Sequence, residues 1–511
     1  MKPRKLEKMR TQGIQLFLFF LVALIGVCGR AWADGAAATT VAAAPTSLMG
    51  FMNYGDFTWV NGNTHEKDFP MDGKFFSPEL LFDTNYTWQA SHPNDHMING
   101  STATNMSGEV EVQHVGLGGD FHIPVGSGGD YVHARFMSQF GMYANGIPRN
   151  DTTPARGTWN ITQGTMYFTE AYGGYHFDIP GTDGLNIEMG QFPSYVGLYS
   201  FYDSENWTYQ ASYVSSNTPW FFTGWRVQFF PSDALKIEPW IINGWQTYGT
   251  FDEGLGGTGN NYGFEVRWAP NPGLVLIANN YLGPDNADSP NCIKYHTDDS
   301  LVLKYFDDPK SGGIDKMAFS LTCDAGMQQG PLFMGYGTAG TLTANGQLIG
   351  PNNTVNVGPN GPNAESFLGF MAYDRTWFAH DTMAFTFGGG MMTNPGRYLA
   401  LLPSIDGNGA STYFGDPNAT AAFTEGPGLA WTAWDTDICL QIMPDQYYTF
   451  DLEWTHRHSS IPYFNGPGGE TSQDGWTTGA ATGSAQVSTG AYKPNLINDE
   501  DLILGAFMIH I

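Results

Sequence analysis

The stretch Tyr448-Thr449-Phe450-Asp451-Leu452-Glu453-Trp454-Thr455-His456-Arg457 sorts its side chains by parity. Tyr448, Phe450, Leu452 and Trp454 share one side, whereas Thr449, Asp451, Glu453 and Arg457 share the other. Successive side chains of a β-strand point to opposite faces, so a strand here carries one apolar and one charged face. The pattern recurs along the chain. Trp225, Val227 and Phe229 oppose Arg226 and Gln228, and Tyr262, Phe264, Val266 and Trp268 oppose Glu265 and Arg267. Met317, Phe319 and Leu321 oppose Lys316, Ser320 and Asp324, and Trp434, Thr436, Ile438, Leu440 and Ile442 oppose Asp435, Asp437, Cys439 and Gln441. An apolar exterior around a charged interior is the logic of a transmembrane antiparallel β-barrel. A secreted β-sandwich or propeller also alternates, with its apolar face inward. The amino terminus and the turns favour the barrel.

Lys2, Arg4, Lys5, Lys8 and Arg10 form a positive leader, Ile14 to Val27 a short apolar run, and Ala31-Trp32-Ala33 a small-residue cleavage site. Residues 1–33 therefore read as an export signal cut near Ala33, and 34–47 as an Ala/Thr-rich extension ahead of a barrel over 48–511. Cys28 is a weak lipidation site, because Val27 precedes it. Beyond the signal only Cys292, Cys323 and Cys439 remain, an odd set that is no disulfide framework, although one pair can form. The full chain has a formal charge of −27, and removing the signal, with six basic residues and one acidic, leaves −32. Such a chain repels nucleic acid, and an acidic lumen favours cations. No later segment approaches the roughly 20 apolar residues of a membrane helix.

Tight turns close strand-like runs at Phe121-His122-Ile123-Pro124, Phe177-Asp178-Ile179-Pro180, Phe229-Phe230-Pro231-Ser232-Asp233, Trp268-Ala269-Pro270-Asn271, Asp307-Asp308-Pro309 and Ile442-Met443-Pro444-Asp445. Proline cannot donate to a ladder, so it belongs where a strand stops. Between these turns lie long Gly-, Asn- and Ser-rich connections, at 145–160, 330–364, 395–426 and 459–498. Short turns on one rim and long loops on the other match the two sides of an outer membrane. Counting runs predicts an all-β, up-and-down barrel of about sixteen strands, or eighteen if 48–60 belongs to an extra pair rather than to a plug. The apolar terminal strand (Phe507, Ile509, Ile511) is in keeping with an outer-membrane assembly signal, and both ends fall on the short-turn side.

Gly190-Gln191-Phe192-Pro193, Asn206-Trp207-Thr208-Tyr209, Thr218-Pro219-Trp220-Phe221, Gly224-Trp225-Arg226 and Pro239-Trp240-Ile241-Ile242-Asn243-Gly244-Trp245 together resemble the OmpL-like β-barrel porin-2 family, as does the upstream Asp83-Thr84-Asn85-Tyr86-Thr87-Trp88. The resemblance reaches across most of the chain beyond the signal. It implies an outer-membrane porin-type barrel with no catalytic residues. The expected partners are outer-membrane lipid and small hydrophilic solutes or ions passing by diffusion, with cations preferred. The reading allows a homo-oligomer but identifies no subunit interface. A barrel scaffold or adhesin, or the sheath of an envelope complex, acting through its long loops is the alternative.

The expected lumen face offers Arg135, Arg226, Arg267, Lys304, Lys316 and Arg457 against Glu238, Glu265, Asp435, Asp437, Asp451 and Glu453. Opposed charges across a pore create a transverse field, whereas neighbours on one wall only neutralise each other. The aromatic connection 194–220, with Asp203, Glu205, Trp207 and Tyr209, is either a constriction loop inside the lumen or an ordinary exterior loop. His456 and His458 share a strand face but have no third ligand near in sequence, so they make a poor metal site. Asp406-Gly407-Asn408-Gly409 lacks the remaining positions of a calcium loop. Neither a phosphate-binding G-x-x-x-x-G-K-[ST] nor a G-x-S-x-G nucleophile motif occurs. The sequence points to no enzyme and no cofactor. Carboxylate pairs such as Asp451/Glu453 are cheap coincidences in so acidic a chain.

Overall fold

In the computed structural model, the alternation read at Tyr448–Arg457 is an alternation between exposed and buried positions. Phe450 and Leu452 are exposed while Asp451 and Glu453 are buried. The structure describes residues 51–511 except 95, 97, 99–102, 105, 147–166, 246–260, 285–292, 311–312, 329–340, 343–347, 350–354, 358–364, 394–431, 461–462 and 470–494. The expected signal, the extension up to residue 47, Cys28, Cys292 and the 406–409 motif lie outside the described residues.

Sixteen antiparallel strands close into one barrel. They are β1 (Phe76–Gln89), β2 (Val110–Pro124), β3 (Tyr131–Ser138), β4 (Phe168–Phe177), β5 (Leu185–Pro193), β6 (Phe221–Ser232), β7 (Leu235–Ile242) and β8 (Asn261–Asn271). Then come β9 (Leu274–Pro284), β10 (Ile293–Asp307), β11 (Ile314–Gln328), β12 (Glu365–Phe378), β13 (Met383–Thr393), β14 (Thr432–Asp445), β15 (Tyr448–Ser459) and β16 (Asp499–His510). Each strand pairs with its sequence neighbour, and β1 pairs with β16, Leu81 opposite His510 and Gln89 opposite Leu502. The wall therefore has no free edge, which is what permits β-structure in lipid. Each of the sixteen strand-like runs read from sequence overlaps one of these strands. The eighteen-strand option falls: residues 51–66 form turns and coil rather than strands.

The outer face carries Trp225, Tyr262, Leu282, Leu303, Leu321, Phe370, Phe385, Leu452 and Ile503, all exposed. Exposed aromatics mark both rims, Tyr305, Phe306 and Tyr448 on the tight-turn side and Tyr86, Trp88, Tyr262, Tyr295 and Trp434 on the long-loop side. Those two belts bound the lipid-facing band. The inner face is less uniform than a wet wall would be. Tyr373 and Trp377 of β12, Val302 of β10 and Val275 of β9 are buried inside the barrel and belong to an apolar core with Phe57, Trp59, Leu198, Phe201 and Trp207. A bulge between Asp83 and Thr84 lets Gln113 and His114 both turn inward, where they are buried.

Candidate functional site: the lumen and its inner loop

Residues 194–220 leave β5 on the long-loop rim and return to β6 on the same rim, with Ser194 N donating to Trp220 O (3.0 Å) across the base. Between those ends the segment lies inside the barrel. Trp207, Tyr209 and Tyr213 are fully buried. So large an apolar surface has no place on an exterior loop; burying each aromatic ring against the wall contributes about 1.5–3 kcal/mol. The near end rests on the wall through Tyr195, which stacks on Phe222 and Trp240 and donates its hydroxyl to Asn280 O (2.9 Å).

Carboxylates of the wall hold the polar backbone of this loop. Glu453 accepts Tyr209 N (2.7 Å) and Gln210 N (3.0 Å). Asp435 accepts Tyr213 N (2.8 Å), Ser212 Oγ (2.9 Å) and, from the neighbouring strand, Gly390 N (2.8 Å). Arg375 donates to Trp207 O (3.0 Å) and to the Gln441 amide, and Gln441 in turn donates to Asn206 O (3.2 Å) and Asp451 (3.0 Å). Tyr209 donates its hydroxyl to Asp83 Oδ1 (2.9 Å) and accepts Asn85 Nδ2 (3.1 Å). Asp203 accepts the Tyr143 hydroxyl (2.6 Å) and is in hydrogen-bond contact with Asp83. Burial, followed by the charge of Asp83, raises the Asp203 carboxyl well above the usual range. Glu205, bonded by Ser200 Oγ at 2.6 Å, is pushed up to about 7, chiefly by burial.

A second segment closes on the loop from the tight-turn side. Met52 N donates to Asp233 O in the β6–β7 turn (2.7 Å), Trp59 Nε1 to Pro272 O in the β8–β9 turn (3.2 Å), and Lys67 N to Gln446 Oε1 in the β14–β15 turn (2.7 Å). In a ring of sixteen strands, β7 and β14 are nearly opposite, so residues 52–68 cross the mouth. Their meeting with the inner loop is direct: Trp207 N donates to Asn61 Oδ1 (2.7 Å), Trp207 Nε1 to Trp59 O (3.0 Å) and Gly62 N to Glu205 O (3.0 Å). Gly62 has φ +77°, and a Cβ there would collide with the Leu198 carbonyl. Glu66, 3.8 Å from His510 Nδ1, is pushed up to about 7, mainly by burial.

All twelve residues expected on the lumen side sit on the inward face. They divide into two sets. On the β1–β8 side charges pair along the wall: Arg135 with Glu79 (2.7 Å), Asp120 (2.7 Å) and Glu170 (2.9 Å), and Arg226 with Glu188 (2.5 Å). Lys236 pairs with Glu238 (2.8 Å) and Glu265 (2.7 Å), and Arg267 lies 3.4 Å from Glu265. Lys304 meets Asp307 (2.5 Å) and Lys316 meets Asp381 (2.7 Å) near the tight turns. On the β12–β15 side Asp435, Glu453 and Arg457 engage the inner loop, Arg457 through Ala211 O (3.4 Å) and Gln210 Oε1 (3.4 Å). Asp437 accepts the Tyr373 hydroxyl at 2.5 Å.

Sequence reasoning missed Arg375, Asp83, Glu188 and Tyr143. Arg375 shares its face with Tyr373 and Trp377, so parity alone placed it on an apolar side. His456 and His458 face outward near the long-loop rim, where Nδ1 of each meets Asp501 (2.9 Å) and Asp499 (2.6 Å) on β16. Among the described residues no three His, Cys, Asp or Glu side chains group as a metal site. Cys439 is buried inward and Cys323 stands on the other parity, outward; both are free thiols.

The family model described as "Putative beta-barrel porin-2, OmpL-like" matches residues 79–481. The chain belongs to the OmpL-like β-barrel porin-2 family. It is a porin-type β-barrel of the outer membrane. No curated protein sequence matches it significantly. Among solved structures the chain is similar to the outer membrane channel DcaP of Acinetobacter baumannii, at 11% identity over 88% of this chain and 100% of that one, with a TM-score of 0.42. It is also similar to OmpT of Vibrio cholerae in its trimer form (7%, covering 86% of this chain and 100% of that one, TM-score 0.44). A third is the anion-selective porin from Comamonas acidovorans (7%, 85% and 99%, TM-score 0.44).

Proposed function

We propose that this barrel is a passive channel for small hydrophilic solutes, that it prefers cations, and that residues 194–220 set its size limit. The observation that carries the reading is the inner loop itself, a ring-rich segment held inside the wall by Asp435, Glu453, Arg375 and Gln441. Asp437, which accepts the Tyr373 hydroxyl, and Asp451, which accepts the Gln441 amide, add inward acid beside the loop, and a surplus of carboxylates raises the local concentration of cations. No catalytic step is assigned: the buried acids are engaged with the loop rather than grouped around an open cleft.

A second reading is favoured by the crossing segment 52–68. If it and the inner loop stay in place, the barrel is sealed and serves as a scaffold through its long loops. Planar-bilayer recording of detergent-purified protein under a salt gradient separates the two. Discrete steps with a cation-favouring reversal potential, weakened in Asp437→Asn/Asp451→Asn, support the channel. Anion-favouring steps overturn the charge argument, and silence from demonstrably inserted protein selects the scaffold.

A further inference from the structure

On the inward face of β9, β10 and β11, three side chains stand at one level. Asn279 is the cross-strand partner of Asp298, and Asp298 that of Asp324. Direct partners place their Cβ atoms about 4.5–5.5 Å apart. All three are at most 1% exposed. Both Asp298 carboxylate oxygens, both Asp324 oxygens and both Asn279 amide atoms are buried without a hydrogen bond. His296 Nε2 lies 2.8 Å from Asp324 Oδ1, outside hydrogen-bond geometry. The neighbouring Ser300 hydroxyl lies 2.8 Å from Thr322 Oγ1, where either can donate, and is also in side-chain contact with Asp298.

Like charges directly opposite each other repel, and burying a carboxylate without a hydrogen-bond partner is costly. No described Lys or Arg forms an ion pair with either aspartate, although the neighbouring acids Glu238 and Glu265 at the same level share Lys236. The inner loop reaches this row. Thr218 Oγ1 and Asp298 Oδ2 lie 3.6 and 3.7 Å from the point a Gly197 Cβ would occupy, and Thr218 Oγ1, which donates to Ser215 O (2.7 Å), keeps an acceptor lone pair.

We propose that Asn279, Asp298 and Asp324, with Thr218 from the inner loop, bind one divalent cation of the calcium type. The donors are all oxygen once the Asn279 amide turns its carbonyl to the ion, which is the set a hard cation takes. Two carboxylates balance a divalent charge, so the site is neutral when filled, and that decides against a monovalent ion in so buried a place. Calcium tolerates irregular oxygen geometry, whereas magnesium demands a near-ideal octahedron and gives up its water reluctantly. The ion would tie the base of the inner loop to the wall. Nothing in this requires that the barrel conduct, so the two readings fail separately.

The test is calcium binding by the folded, detergent-solubilised barrel after chelation, with radioactive calcium in equilibrium dialysis and a thermal melt in CaCl2 against EDTA. Wild type is expected to bind about one ion saturably and to melt higher in calcium. Asp298→Asn/Asp324→Asn is expected to weaken binding by about tenfold or more and to abolish the calcium-dependent shift. In EDTA this variant is expected to melt above wild type, because its repulsion is gone, which separates a lost site from a lost fold. Asp374→Asn, on the outer face, is expected to behave as wild type. Equal binding by the double variant would mean an adventitious ion only and would overturn the proposal. So would a wild type whose melting ignores calcium, the behaviour of two carboxyls that share a proton.

Discussion

Glu453 shows what a single residue does here. Its two oxygens accept successive backbone N–H groups of the inner loop, Tyr209 and Gln210. Hydrogen bonds to a charged group contribute about 1.5–3 kcal/mol each, and removing the acceptor leaves two buried donors unsatisfied. Glu453→Ala is expected to destabilise the barrel by about 2–4 kcal/mol, and Glu453→Gln by less, since one oxygen still accepts; denaturant melts of folded protein check the order. Trp207→Ala removes a fully buried ring and its Nε1 bond to Trp59 O while keeping the backbone bond to Asn61, and is expected to destabilise by about 3–5 kcal/mol. If the inner loop is the barrier, both changes also raise conductance or its noise. A melting loss without any electrical change in a conducting barrel would assign the loop to structure alone.

At the scale of elements, the inner loop and the 52–68 segment form one packed unit inside the wall, and the stability of that unit is expected to depend on pH. Glu66 and Glu205 both rise to about 7 from the ordinary 4.5. Their unfolded forms lose protons first, so the stability they contribute is complete below about pH 4.5 and is lost as pH climbs through 7. The groups that face them include Glu79 and His510 for both and Arg135 for Glu205. Melting temperature is expected to fall from pH 5 to pH 8, and Glu66→Gln/Glu205→Gln to flatten that slope. An unchanged slope would place the titrating groups elsewhere. Deleting residues 51–66, or prying the contact open with Gly62→Ala, is expected to increase conductance if the mouth is the narrowest point. Legibility also divides at this scale. Strands were readable because lipid outside and polar groups inside impose period two, as at Trp434–Ile442. The inner side of β12 was not, because Tyr373 and Trp377 face other protein rather than water and so look like lipid-facing residues. The aromatic composition of 194–220 raised the inner-loop option, but only tertiary contacts show Asp435 and Glu453 as its anchors. The orphaned Asn279–Asp298–Asp324 row leaves no periodic trace at all, since it depends on register among three strands.

For the whole molecule, the apolar band is a stability statement. Leu452 is 59% exposed and lies between the two aromatic belts on β15. Leu452→Arg is expected to destabilise the barrel by about 2–4 kcal/mol in a bilayer and to affect detergent-unfolded chains little, as measured by urea titration in lipid vesicles. Arg226, by contrast, lies indoors with Glu188 and over Phe192, so its charge costs the lipid nothing. The joint between β1 and β16 has a consequence in time. Leu80 and Ile511 exchange hydrogen bonds in both directions at one end of the seam, which runs on from Leu81 opposite His510 to Gln89 opposite Leu502. Contacts so distant in sequence form late and slowly. Everything indoors, from Trp59 to Tyr213, therefore has to be seated before that joint is made, or be threaded through a mouth that the 52–68 segment itself crosses. Removing β16 as a whole would leave β1 and β15 each with a bare edge, and the closed wall would become an open-sided trough.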